Sequence, residues 1–184
     1  TRYAINSWGI LYLQEAKGYT LIESGAILSL NTFAGIIGCV AFGFISDKFF
    51  TARRPPVTLI FGIIEIVALF VIFFGPSGNV ILLTAAFFVY GFTLSGLLAV
   101  LGGLFAIDIA PKKAAGAAMG FIGIFSYVGA GLQDQISGFL IYSNSSIIEG
   151  TIIYNFNPVI IYWIGSSIIS MILAATLWRA KVRD

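Results

Sequence analysis

Few residues of this chain could do chemistry, and two groups of them stand inside apolar segments. Arg2 opens one such segment, and Asp134 lies between Gln133 and Gln135 within another. A guanidinium stays charged and can donate two hydrogen bonds at once to a phosphate, so Arg2 is a candidate anion ligand. Without further information the sequence favours another interpretation of Arg2, as a basic side chain that extends from a helix end towards water.

Asp134 is the second candidate, because a carboxylate inside an apolar segment is costly and is treated as functional by default. It could accept a hydrogen bond from a ligand hydroxyl or pair with a basic residue elsewhere. It could equally be a neutral acid held by hydrogen bonds. Gln133 is grouped with it as a candidate ligand-binding residue.

Other kinds of chemistry have no residues to carry them. The chain has no histidine and one cysteine, Cys39, so it offers no histidine-based metal site and no Ser-His or Cys-His pair. We expect neither an enzyme nor a bound cofactor. A net charge of +2 is too small to indicate a nucleic-acid partner.

Composition points to the membrane as the environment. Of the 184 residues, 59% are hydrophobic and 10% are charged, with a mean hydropathy of +0.99. Soluble domains carry about 25% charged residues. The chain is therefore expected to be all-α and to cross the lipid bilayer repeatedly.

Five apolar stretches are long enough to span a bilayer, which takes roughly 20 residues. They run over 24–46, 56–75, 79–109, 114–142 and 157–178, and the longest break between them is the loop at 142–158. The segment from Thr1 to Gln14 would cover only about 21 Å of a core about 30 Å thick. It is expected to be the second half of a helix in a longer protein.

The basic residues predict the orientation. Eight of the ten lysines and arginines fall in three segments: Lys48, Arg53 and Arg54; Lys112 and Lys113; and Arg179, Lys181 and Arg183. Alternating spans place all three segments on one side, and Lys17 lies alone on the other. The basic side is expected to be cytoplasmic, together with the C-terminus.

Glycines recur at short spacings inside the predicted spans. The sets are Gly35 with Gly38, Gly116 with Gly120, and Gly129 with Gly131. Small residues at such spacings let helix backbones approach closely. The pattern predicts tight packing, with helices that slide against one another as the alternative.

One loop resembles a motif of the major facilitator superfamily. In that family a glycine is followed four residues later by an aspartate and then by basic residues. Here these are Gly43, Asp47, Lys48, Arg53 and Arg54. They would cap helix ends and form ion pairs that hold one conformation closed. An ordinary loop on the basic side of a membrane fits the same residues.

Two further segments resemble the organophosphate:phosphate antiporters of this superfamily. The sequence Arg-Tyr-Ala-Ile-Asn-Ser-Trp-Gly at 2–9 is similar to their seventh helix, and residues 110–129 are similar to their eleventh helix and its entry loop. The resemblance covers essentially the whole chain. It implies that residues 1–184 form the C-terminal transmembrane half-domain, with the end of helix 7 and helices 8–12. The N-terminal six-helix half would be absent.

The resemblance also implies a substrate site between the two halves, near the membrane midplane. Arg2 matches the phosphate-binding arginine of the seventh helix, and Tyr127 matches a site-lining tyrosine of the eleventh, with aromatic packing as the alternative. Asn6 shares a helix face with Arg2. Gln133 and Asp134 depart from the small or apolar residues expected there and would favour a polyhydroxylated sugar. Further polar candidates are Asn31 and Ser95, while Glu65 lies mid-span on a helix that is peripheral in the family.

The implied function is exchange of a sugar phosphate, with hexose phosphate favoured, for inorganic phosphate by alternating access. The alternative is a receptor of the same fold that senses external hexose phosphate and signals to a membrane kinase. In either case the expected partners are an organic phosphate, inorganic phosphate, the lipid bilayer and the missing N-terminal half. The expected location is the bacterial inner membrane.

Overall fold

A computed structural model describes residues 2–50, 54–104, 113–148 and 151–176 of the chain. Its helices are α1 (Arg2–Glu15), α2 (Leu21–Phe49), α3 (Arg54–Phe74), α4 (Val80–Ala99), α5 (Ala115–Ser143) and α6 (Asn157–Thr176). A π-helical segment, Val100–Leu104, continues α4. The strands β1 (Ser146–Ile148) and β2 (Thr151–Ile153) form an antiparallel hairpin between α5 and α6.

Five of these helices, α2 to α6, are long and apolar enough to cross a membrane. This confirms the all-α class and the five predicted spans. The span predicted over 79–109 is α-helical only to Ala99 before the π-helical segment, and residues 105–112 lie outside the described part of the chain. The stretch predicted as the loop 142–158 contains the hairpin instead, because isoleucine and threonine favour extended backbone.

A tight turn joins α1 to α2. Gly18 adopts a positive φ of 76°, a conformation that glycine accepts without strain. The amide of Gly18 donates to the carbonyl of Gln14, as in an αL helix cap, and the amide of Tyr19 donates to the carbonyl of Leu13. A capping box between Thr20 and Glu23 then starts α2. The turn reverses the chain and sets α2 beside α1.

Among the described helices α2 and α4 share the most extensive contact, and glycine makes this contact possible. A Cβ atom on Gly38 would meet the carbonyl of Phe92, and one on Gly91 would meet the carbonyl of Asn31. The packing predicted for Gly38 is confirmed, and so is that for its neighbour Gly35, which faces the hydroxyl of Ser95.

The remaining predicted glycine sets do not mark close contacts within this chain. If Gly116, Gly120, Gly129 or Gly131 carried a Cβ atom, no described atom outside the local helix would lie within 4 Å of it. All four lie on α5, whose outward face is free of close helix neighbours among the described residues. The Gly-x-x-x-Gly spacing therefore belongs to a surface of this chain.

Two apolar clusters hold the bundle together. The larger one joins α1, α3, α4 and α6 around Tyr12, which meets the rings of Phe73 and Phe156 edge-on at 5.3 and 5.4 Å. The smaller one gathers Phe42 and Phe61 near the opposite end of α2 and α3. By contrast, three of the described side chains of α5 are buried: Ala130, Ser137 and Ile141. Most of α5 is left as surface.

Candidate functional site

A cavity of about 250 Å³ lies between α1, α3, α4, α5 and α6. Leucines of α4 and of the π-helical segment that continues it form its apolar wall: Leu94, Leu97, Leu98 and Leu101. The other walls carry its polar groups: Arg2, Tyr3, Thr58, Glu65, Ser126, Gln133, Ser166, Ser167 and Ser170. A small cavity with apolar walls and a few convergent polar groups is the usual form of a small-molecule site.

Arg2 stands at the start of α1, where it lines the cavity and is exposed. Its guanidinium carbon lies 5.7 Å from the centre of the Tyr3 ring, within reach of a cation–π interaction. Gln133 lines the same cavity from α5. The fold thus brings together two of the residues that the sequence predicts as ligands, across the α1–α5 contact.

Asp134 is half-buried and bonds to α1 instead of lining the cavity. The hydroxyl of Ser7 donates a hydrogen bond of 3.1 Å to its Oδ2. Its Oδ1 is buried and has no hydrogen-bond partner among the described residues. Sequence reasoning missed Ser7, since only the docking of α1 against α5 shows which hydroxyl faces the carboxylate.

Glu65 was left without a role by the sequence, and the structure places it in the cavity wall. It lies midway along α3 and is 6% exposed. Ser167 of α6, also 6% exposed, donates a long hydrogen bond of 3.5 Å to its Oε1. The signal available in the sequence was a lone carboxylate in an apolar helix, with no indication of its partners.

The other predicted ligands lie away from the cavity. Tyr127 is 72% exposed on α5, and Asn6 is exposed on α1. Asn31 is buried at the α2–α4 contact, where its Oδ1 lies close to Gly91. Substrate binding by these three residues stays a prediction.

The residues of the loop motif lie at the facing ends of α2 and α3. Asp47 and Lys48 are exposed near the end of α2, and the ammonium of Lys48 lies 5.1 Å from the centre of the Phe44 ring. Gly43 has open space around it, and Arg54 begins α3. Arg53 lies outside the described residues.

The fold and the sequence define a polytopic membrane protein of the major facilitator class. The family model described as Major Facilitator Superfamily matches residues 1–133, and the chain belongs to this family. It is an integral membrane protein.

Three relatives narrow the comparison. The chain is 35% identical over 183 residues to the glycerol-3-phosphate transporter of Bacillus subtilis, across 99% of this chain and 39% of that protein. It is 37% identical over 132 residues to the membrane sensor protein UhpC of Salmonella typhimurium, across 72% of this chain and 30% of the sensor. It is 35% identical over 130 residues to a probable hexose phosphate transport protein of Chlamydia pneumoniae, across 70% of this chain and 28% of that protein.

These relatives confirm the predicted resemblance to the organophosphate:phosphate antiporters. Their names describe transporters and a sensor, which agrees with the expectation that the chain is not an enzyme. The chain spans between about a quarter and two fifths of the length of these relatives.

Proposed function

We propose that residues 1–184 are the C-terminal half-domain of a secondary transporter that exchanges a sugar phosphate, with hexose phosphate favoured, for inorganic phosphate by alternating access. The observation that carries the proposal is the position of Arg2, which lines a partly apolar cavity together with Gln133. A guanidinium in a partly apolar cavity is an effective ligand for a phosphate group.

The printed names of the relatives support an organic phosphate as the substrate. A glycerol-3-phosphate transporter and a probable hexose phosphate transport protein share a phosphate ester as the chemical feature of their named cargo. Arg2 is the group of this chain that suits that shared feature. Gln133 can add hydrogen bonds to ester or hydroxyl oxygens from α5.

The surface of the bundle supports a second half as its partner. Asn6 on α1 and Tyr127 on α5 are exposed polar side chains, and few of the described side chains of α5 are buried. In transporters of this class the substrate lies between two helical halves near the membrane midplane. We propose that the N-terminal half covers this face and that Asn6, Tyr127 and Asp134 contact substrate there.

We propose that the basic side of the membrane is cytoplasmic, that the C-terminus lies there and that the membrane is the bacterial inner membrane. Lys48, Arg54 and Lys113 occur at helix ends that alternation of the spans places on one side. On that side Gly43, Asp47, Lys48, Arg53 and Arg54 would form the conformational motif of the loop.

A receptor for hexose phosphate is the second candidate function. The similarity to a membrane sensor protein, at 37% identity over 132 residues, supports it. The same cavity would serve a receptor, whose partner would be a membrane kinase. The two functions differ in whether substrate crosses the membrane.

The test is uptake of labelled inorganic phosphate and labelled glucose 6-phosphate into phosphate-loaded proteoliposomes. Exchange is expected with the full-length protein that contains residues 1–184. It is expected to fall about tenfold or more in the Arg2→Lys variant, because lysine supplies a point charge instead of a planar guanidinium. Lys113→Arg is the matched control, since Lys113 is exposed and does not line the cavity. Equal exchange by Arg2→Lys and the unmodified protein would contradict the proposed role of Arg2.

Absence of exchange with saturable binding of glucose 6-phosphate would favour the receptor. Absence of both exchange and binding would contradict both functions. Binding is therefore measured on the same preparations, by equilibrium dialysis in detergent.

A further inference from the structure

The hairpin between α5 and α6 exposes isoleucine on both of its faces. The six residues of β1 and β2 include four isoleucines and no charged residue. Ile147 lies opposite Ile152 in the strand register, so these two side chains share one face, and they are 75% and 46% exposed. Ile153 follows Ile152 and therefore lies on the other face, where it is 49% exposed. Neither face is fully covered by the described helices.

Such a hairpin is poorly suited to water. An isolated two-stranded hairpin is at best marginally stable there, and it usually needs an apolar face packed against another element. Exposed isoleucines beside an open strand edge also favour unwanted association in water. The hairpin therefore requires apolar surroundings beyond the described part of the chain.

The length of α6 places the hairpin at the level of the membrane surface. The 20 residues of α6, Asn157–Thr176, cover about 30 Å, which is the thickness of the hydrocarbon core. The start of α6 is thus expected at the boundary between acyl chains and headgroups. Ile153 precedes Asn157 by four residues, so β2 ends close to this boundary.

Contacts with α1 and α3 agree with this level. Phe156, in the short link between β2 and α6, is buried and meets the ring of Tyr12 edge-on at 5.4 Å. The hydroxyl of Tyr12 in turn donates to the carbonyl of Phe73 at 3.3 Å, one residue before α3 ends. The base of the hairpin is therefore held at the depth where a second spanning helix ends.

Tyr142 marks the same boundary from α5. It lies in the last turn of that helix and is exposed. Tyrosine is enriched where a span meets the headgroups, because its ring is apolar and its hydroxyl is polar. Both helices that flank the hairpin therefore reach the membrane surface where the hairpin begins and ends.

Strand pairing suits the hairpin to this boundary. The antiparallel register runs from Ser146 opposite Ile153 to Ile148 opposite Thr151. Backbone groups along the shared edge bond to one another, which lowers the cost of taking them out of water. A protein partner docked from one side would cover one face, whereas the lipid interface can surround both.

We propose that β1 and β2 insert their isoleucines into the lipid interface of the bilayer that surrounds the helices, on the side opposite the basic loops. The hairpin is then an anchor that fixes the connection between α5 and α6 at the membrane surface. This inference does not depend on the substrate and holds equally for a transporter and for a receptor.

The test measures the surroundings of a spin label on each face of the hairpin. The full-length protein that contains residues 1–184 is first freed of reactive thiols, including the exposed Cys39. A nitroxide is then attached to Ile147→Cys or Ile153→Cys in nanodiscs of phosphatidylethanolamine and phosphatidylglycerol. Ser77→Cys is the matched control, because Ser77 is exposed in the polar turn between α3 and α4, on the same side of the membrane.

Collision rates with oxygen and with a water-soluble nickel chelate distinguish the outcomes. Oxygen is apolar and concentrates in lipid, so we expect the ratio of oxygen to nickel collisions at both hairpin sites to exceed that at Ser77 about threefold or more. Equal ratios at all three sites would place the hairpin in water and overturn the proposal. Few collisions with either reagent at the hairpin, or lipid contact at only one of its faces, would instead indicate a protein partner and also overturn it.

Discussion

The indole of Trp163 donates a hydrogen bond of 2.8 Å to the hydroxyl of Ser137, and both side chains are almost completely buried. This bond joins α6 to α5, the helix with the fewest buried side chains relative to its length. It is a specific polar tie at a contact where apolar packing is sparse.

Ser137→Ala is expected to destabilise the protein by about 1 to 3 kcal/mol, because the indole N–H of Trp163 would then be buried without a partner. The measurement is unfolding in detergent micelles, followed by tryptophan fluorescence. Ser143→Ala is the control, because Ser143 is exposed at the end of the same helix. Its expected effect is within about 0.5 kcal/mol. Equal losses in both variants would argue against the buried bond as the cause.

The bond from Ser7 to Asp134 predicts energetic coupling between α1 and α5. Ser7→Ala and Asp134→Ala should be non-additive in a double-mutant cycle of unfolding, with a coupling of about 0.5 to 1.5 kcal/mol. Asn6→Ala combined with Asp134→Ala is the matched cycle, since Asn6 is the preceding exposed residue on α1. That cycle should be additive. Additivity in the Ser7 cycle would show that the bond contributes nothing.

The glycine contacts between α2 and α4 predict that alanine is poorly tolerated at two positions. At Gly38 and Gly91 a methyl group would meet a backbone carbonyl, which can move only if a helix moves. Each substitution is expected to cost about 1 to 3 kcal/mol in unfolding. Gly25→Ala, on the same helix as Gly38, has open space around it and is expected to be neutral or to stabilise by up to about 1 kcal/mol. Similar losses at all three positions would rule out this packing explanation.

Lys17 caps the C-terminal end of α3, and this contact is expected to stabilise the fold. Its ammonium donates to the carbonyls of Phe73 and Gly75 at 3.2 and 2.8 Å, where the helix dipole favours a cation. Lys17→Met is expected to lose about 1 kcal/mol of unfolding free energy, whereas Lys17→Arg should retain most of it. A methionine variant as stable as the original would contradict the cap.

The same lysine predicts a pH dependence. Partial burial lowers the pKa of Lys17 below its ordinary value of 10.5. Between the lowered pKa and 10.5 the unfolded chain binds more protons than the folded one, so folding stability rises with pH in that window. The unmodified protein should therefore gain stability relative to Lys17→Met as the pH increases towards 10.5. A difference that stays constant across this range would show that Lys17 does not titrate differently on folding.

Hydropathy was sufficient to predict most of the helices. Each span is apolar along its whole length, and length alone then determines that it can cross a bilayer. The hairpin at Ser146–Ile153 was missed, because two strands of three residues are too short for a periodic pattern to be recognised.

The candidate site was predictable only in part. Arg2 and Gln133 stand out in the sequence as polar residues in apolar surroundings, and both line the cavity. Asn31 stands out in the same way, yet it lies in the α2–α4 contact. The side of the helix on which a polar residue lies relative to the cavity decides between these outcomes, and the apolar composition of the helix does not indicate that side.

What the sequence by itself determined is that this is a polytopic helical membrane protein of the major facilitator superfamily. What only the tertiary structure decided is which polar groups meet: Ser7 with Asp134, Ser137 with Trp163, and Glu65 with Ser167. The physical reason is that helices in lipid are apolar on every face. The buried side of each helix therefore leaves no amphipathic pattern in the sequence. Packing of the helices against one another decides which side is buried.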